Sequence, residues 1–145
     1  MINDQIRITG DVTIQLFNAD GSLKDKREIK NLVVTTGKTF IAGRMTGTPT
    51  IMSHMAVGSG TTAAAAGDTA LQSELGRVAL TSGTTTAAVT TYVASFPAGT
   101  GTGAVTEAGV FNASSGGTLL CRTVFAVVNK GVDDAMSITW AVTVS

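Results

Sequence analysis

The sequence predicts an all-β protein: an antiparallel β-sandwich, jelly-roll-like, with one or two short helices. Three observations carry this reading. Segment after segment alternates apolar and polar residues with the period of two that a half-buried strand requires. Turn signals rich in Gly, Asn, Asp and Ser separate these segments at the close spacing of sandwiches and barrels. Threonine occurs 24 times in 145 residues, and its branched Cβ suits a pleated surface.

The elements follow in order. Residues 5–17 alternate, with Ile6, Ile8, Val12, Ile14 and Leu16 on one parity. Asn18-Ala19-Asp20-Gly21 is a hairpin turn, since Gly accepts a positive φ. Residues 22–34 return as a strand that starts charged and ends on Leu32-Val33-Val34. Phe40, Ile41 and Met45 fall on one side of a short helix, with Thr35 or Thr36 as its expected cap. Ile51 to Val57 reads as a strand, and 58–67 as a loop of small residues. Asp68 is expected to cap one helical turn bearing Leu71 and Leu75. Residues 77–82, 86–96 and 104–112 read as strands. Asn112 to Gly117 turns the chain onto Thr118–Val128, and Gly131-Val132-Asp133-Asp134 makes the last turn. The final strand is the clearest: Met136, Ile138, Trp140, Val142 and Val144 alternate with small polar residues. This gives about eight strands. Trp140, Phe111 and Phe40 are the expected core anchors.

Length and the absence of a linker predict a single domain over 1–145. Ten basic and ten acidic side chains cancel, which argues against a nucleic-acid binder, since neutralising phosphates needs a basic excess. Hydrophobic residues at 43% with zero net charge argue against disorder. One cysteine, Cys121, excludes an internal disulfide. One histidine, His54, excludes a multi-histidine metal centre, and no cofactor is expected. No apolar run approaches the length of a membrane span, and the start of the chain lacks the features of a signal peptide. Synthesis in a cytoplasm is the resulting expectation. Residues 45–67 and 78–106 contain no Asp, Glu, Lys or Arg. Exposed strands normally carry charge that blocks sticking, so these stretches predict self-association.

Candidate chemical motifs are weak. Thr36-Gly37-Lys38-Thr39 lacks the earlier glycine of a phosphate-binding loop; Leu32 stands there. Gly58-Ser59-Gly60-Thr61-Thr62-Ala63 has the form of a dinucleotide fingerprint but lacks the strand–helix setting that aims an N-terminus at a pyrophosphate. Nothing in the sequence brings Cys121 to His54. The cluster Lys24 to Lys30 mixes four basic and two acidic residues and reads as a solvated hairpin face. No catalytic constellation assembles, so the expectation is a non-enzyme. Glu107 and Arg122 are informative for structure. A four-residue loop at Ser114–Gly117 sets Phe111 opposite Leu120, Gly109 opposite Arg122 and Glu107 opposite Val124. Glu107 and Arg122 then become diagonal neighbours, a cross-strand ion pair that helps fix register. The alternative is a contact across a subunit boundary.

Three stretches resemble small structural proteins of tailed bacteriophages. The first is Asn31 to Lys38 with Ile41-Ala42. The second is Met55 to Ala63, then Gly67 to Leu71 and Glu74 to Arg77. The third is Val105 to Ala113, then Leu119 to Phe125 and Asp134 to Trp140. The pattern is similar to parts of capsid decoration (cement) proteins and of collar or tail-fibre proteins. The resemblance implies a virion protein made in the bacterial host cytoplasm. It implies a protein that bridges major capsid subunits on the head surface; with the self-association expected above this is a dimer or trimer, and no nucleic-acid or membrane partner is expected. A chain that stops right after its last strand fits decoration better than a full fibre. A collar or neck component is the alternative within the virion, and a small glycan- or receptor-binding module is the rival class. Residues 1–10 are the expected arm onto the shell or a neighbouring subunit.

Overall fold

The computed structural model describes residues 5–47 and 49–145. Its elements are β1 (Ile8–Phe17), β2 (Leu23–Val33), α1 (Thr35–Gly43), β3 (His54–Gly58), β4 (Glu74–Ala79), β5 (Ser82–Thr86), β6 (Val89–Phe96), β7 (Gly103–Phe111), β8 (Leu119–Lys130) and β9 (Ala135–Val144). Among the described residues the nine strands form one sheet in the order β4-β3-β7-β8-β2-β1-β9-β6-β5. Every pairing is antiparallel. The protein is all-β with one helix.

The sheet curls because β2 serves two partners. Its length from Leu23 to Asn31 pairs with β1, but only Leu32 and Val33 pair with β8, opposite Arg122 and Cys121. Beyond that corner the two halves face each other. Val12, Ile14 and Leu16 of β1, Phe96 of β6 and Met136, Ile138 and Trp140 of β9 meet Met55 and Val57 of β3, Val105 and Val110 of β7 and Val128 of β8 in one core. The alternation that marked β9 is its burial pattern: Met136, Ile138, Trp140 and Val142 point inward. Trp140 is fully buried, and its indole N–H has no hydrogen-bond partner. Phe111 is also buried, in a second small cluster with Val34, Ala56 and Leu119.

Several expectations need correction. Phe40 is only partly buried; it packs on the rim of the core and lines surface grooves. Met45 lies past the helix and is 85% exposed. Val34, not a threonine, is the N-cap of α1, and no side chain caps it. Thr36 instead donates its hydroxyl to the Leu119 carbonyl at 2.8 Å. Asp68 starts no helical turn; the chain stays irregular to Ser73, and Leu75 belongs to β4. The threonine run 84–86 is strand, and the reversal falls at Ala87-Ala88. Ile51–Ser53 precede β3 without joining it. Of the expected arm, residues 1–4 lie outside the described residues. Ile8–Gly10 pair with β9, Gly10 also pairs with Asn31 of β2, and Arg7 and Ser145 exchange backbone hydrogen bonds.

The helix is fastened by a glycine. Gly37 is buried against β8, where an added Cβ would overlap the Leu120 carbonyl. This close approach accounts for the glycine of Thr36-Gly37-Lys38-Thr39: it packs backbone on backbone and forms no phosphate loop.

Candidate functional site

The β7–β8 hairpin sets Gly109 opposite Arg122 and Glu107 opposite Val124, as the sequence spacing predicts. Phe111 pairs with Leu119 rather than Leu120, because the register shifts between Val110 and Phe111. Glu107 and Arg122 therefore lie diagonally on one face. Both side chains are fully buried.

They form the centre of a larger network. Arg122 Nε donates to Glu107 Oε1 at 3.1 Å, and Nη2 lies 3.1 Å from the same oxygen. Arg122 Nη1 donates to Asp68 Oδ2 at 2.8 Å, and Nη2 to the Thr62 carbonyl at 3.0 Å. Glu107 accepts three backbone N–H groups: Gly60 at 2.7 Å and Ser73 at 2.8 Å on Oε2, and Gln72 at 2.9 Å on Oε1. Thr106 Oγ1 donates to the Gly60 carbonyl at 2.7 Å. Asp68 also accepts from Ala65 N–H, and the Gln72 side chain accepts from Thr62 N–H. Thr35 N–H reaches the Ala66 carbonyl at 2.8 Å. The segment from Ser59 to Ser73 is thus strapped onto the hairpin and the start of α1 by buried charge and backbone.

The electrostatics follow from the partners. Burial pushes the Glu107 carboxyl up, but three backbone N–H donors and the Arg122 guanidinium outweigh it and hold the carboxyl below its ordinary value. A buried ion pair holds only when its remaining hydrogen-bonding positions are satisfied, and here the loop backbone satisfies them. The two glycines of Gly58-Ser59-Gly60 are required by this packing, since a Cβ at either position would collide with the Glu107 carboxylate. The loop that looked like a dinucleotide fingerprint does cradle an anion, and that anion is the protein's own Glu107.

Sequence reasoning missed two related clusters. Arg77 of β4 stacks over the Phe111 ring, 3.8 Å from its centroid. It donates to the Ala113 and Gly116 carbonyls at 2.9 Å each and pairs with Glu74, which locks the β7–β8 turn. Lys130 is buried at the end of β8 and donates to the carbonyls of Pro97 and Asp134. Burial lowers its ammonium below the ordinary lysine value, while the neighbouring Asp134 opposes the shift. Lys24 bridges to the same Asp134 at 2.8 Å. Each cluster relies on at least one carbonyl distant in sequence, Ala113 and Gly116 for Arg77 and Pro97 for Lys130, which no local motif announces.

His54 and Cys121 do not meet. Met55, Val110 and Cys121 form one cross-strand row, while His54 sits in the next row with Phe111, and adjacent rows point to opposite faces. Cys121 is buried, and burial pushes its thiol well above the ordinary value. Among the described residues no three His, Cys, Asp or Glu side chains gather as a metal site, and no helix is long and apolar enough to cross a membrane. A cleft of about 540 Å³ opens between α1 and the β7–β8 turn, lined by Thr35, Thr36, Thr39, Phe40, Asn112 and Leu119 among others, with no titratable side chain. Comparison with known proteins returns no matching family model, no matching curated protein and no matching solved structure.

Proposed function

We propose that this chain is a virion structural protein of a tailed bacteriophage: a capsid decoration (cement) protein that self-associates and bridges major capsid subunits to stabilise the head. Within this reading the curled sheet serves as a jelly-roll-like sandwich, a rigid module seated on the shell. One observation carries the proposal. Of the three separated stretches that resemble phage virion proteins, the second and third meet in one buried hub and the first packs alongside. Gly58 to Gly60 and Asp68 come from the second stretch, and Glu107 and Arg122 from the third. Gly37 of the first packs on Leu120 beside them.

What the shared pattern encodes is a locked frame. Its charged groups bind the chain's own backbone, which suits a protein whose task is to hold its shape at a junction. A decoration protein stabilises by mass action, because it binds the assembled shell and not the dissociated subunits.

Antibody-gold labelling of purified virions tests the proposal. Label over the head supports decoration. Label confined to the neck or tail replaces decoration with a collar or fibre role. Virions without label overturn the virion reading and bring forward a glycan- or receptor-binding module.

A further inference from the structure

Parts of the two charge-free stretches, 45–67 and 78–106, meet: Ile51 and Met52 of the first line one groove with Gly83, Thr85, Thr90 and Tyr92 of the second. β5 ends the sheet: β6 pairs with it on one side, and among the described residues no strand lies on the other. All five residues of β5 are exposed, and none is charged or proline. The other edge strand, β4, carries Glu74 and Arg77.

The turn fixes which backbone groups point outward. Ala87-Ala88 is a two-residue reversal, with Ala87 at φ 52°. Such a turn is closed by a hydrogen-bonded pair, here Thr86–Val89. Alternation then makes Thr84–Thr91 and Ser82–Val93 bonded pairs as well. The N–H and C=O groups of Gly83 and Thr85 are left facing away from the sheet. On the face that these two residues share lies a groove of about 250 Å³, lined by Phe40, Ile51, Gly83, Thr85 and Tyr92 among others, with one charged residue, Arg44, whose guanidinium donates to the Pro49 carbonyl. Ile51 is 61% exposed there. A Cβ on Gly83 would stand 3.4 Å from the Tyr92 ring, so the glycine keeps the groove open.

We propose that β5 pairs antiparallel with β5 of a second copy, about a two-fold axis at Thr84. Gly83 of each copy then exchanges backbone hydrogen bonds with Thr85 of the other, and Ser82 stands opposite Thr86. The occupant is a second copy because of the charge pattern. Thr84 meets its own twin at the axis, so a charge there would meet a like charge. β5 has none. The axis stands perpendicular to the sheet, so the two grooves lie on the same face and join, and the exposed Ile51 side chains become covered between the copies. A stable interface buries about 800 Å² per partner, about a tenth of the 7509 Å² surface. A short strand alone is too small for that, and the flanking groove extends it. The inference rests on the self-association in the proposed function and on no other part of it.

Sedimentation equilibrium of the full chain tests this. The expected mass is twice 14.7 kDa. Thr85→Pro removes an outward N–H that bonds nothing within the monomer, and it should give monomer with an unchanged circular dichroism spectrum. Thr84→Lys places two ammonium groups across the axis; it should weaken the dimer at least tenfold at low salt, with partial recovery at high salt. If Thr85→Pro fails to fold, Thr84→Lys decides. A monomeric or trimeric wild type overturns the proposal, as does a dimer that survives both substitutions. A dimer absent from virions would sink the virion reading and leave this interface standing.

Discussion

Gly60 and Glu107 fit each other as donor and acceptor. The Gly60 N–H donates to Glu107 Oε2 at 2.7 Å, and a Cβ on Gly60 would overlap that same oxygen. The carboxylate occupies the space where any other residue would place its side chain. Gly60→Ala should therefore destabilise the protein by about 1–3 kcal/mol, the usual cost of overpacking a filled site. The midpoint of urea denaturation measures it. An unchanged midpoint would mean that the loop moves aside freely and does not clamp Glu107.

Truncating either partner of the ion pair leaves the other charge buried. Glu107→Ala and Arg122→Ala should each cost about 3–5 kcal/mol. The hub also holds Ser59–Ser73, so both variants should increase proteolytic cleavage within that segment. Protease protection equal to wild type in both variants would show that the loop is held by other contacts.

Acid should release the hub. The folded Glu107 carboxyl titrates below its ordinary value of 4.5, because its N–H donors and Arg122 outweigh its burial. The unfolded chain takes up this proton first as pH falls. The stabilisation is therefore complete above 4.5 and is lost as pH drops through the folded value. Asp134, lowered from 3.8 chiefly by its hydrogen bond from Lys24, acts in the same direction. Thermal unfolding of wild type and Glu107→Gln should show a steeper acid loss for wild type below pH 4.5. Parallel curves would contradict the assignment.

Thr36→Val removes the hydroxyl that bonds the Leu119 carbonyl while keeping the side-chain shape. The expected loss is about 1 kcal/mol. Gly37→Ala should cost more, because its Cβ overlaps the Leu120 carbonyl. Equal effects of the two variants, read by chemical denaturation, would show that α1 shifts easily on β8.

Cys121 is buried, and its thiol is pushed well above the ordinary value. The thiolate is the reactive form. A thiol reagent should react with the folded protein only as it unfolds, and at the rate of unfolding. Rapid modification under native conditions would place the thiol at the surface.

Much of this was legible in the sequence. Alternation from Met136 to Val144 is enough to name β9, because a strand with one buried face must repeat every second residue. The four-residue turn after Phe111 is enough to set Gly109 opposite Arg122, and so to bring Glu107 and Arg122 together. The single-residue slip at Phe111 was not legible, because a bulge depends on how the bent strand packs. Residues 83–85, the expected break between the strands 77–82 and 86–96, are strand, because threonine suits both strand and turn; their place at the sheet edge decided the matter.

The amino-acid sequence by itself determined the all-β class of fold, the β1–β2 and β7–β8 hairpins and the meeting of Glu107 with Arg122, since these follow from local periodicity and turn length. Only the tertiary structure decided that the pair is buried. It folded Ser59–Ser73 back over the β7–β8 hairpin, so that backbone N–H groups remote in sequence replace water around the carboxylate. It also brought Ile51 beside β5. Both are matters of long-range packing that no local run of residues encodes.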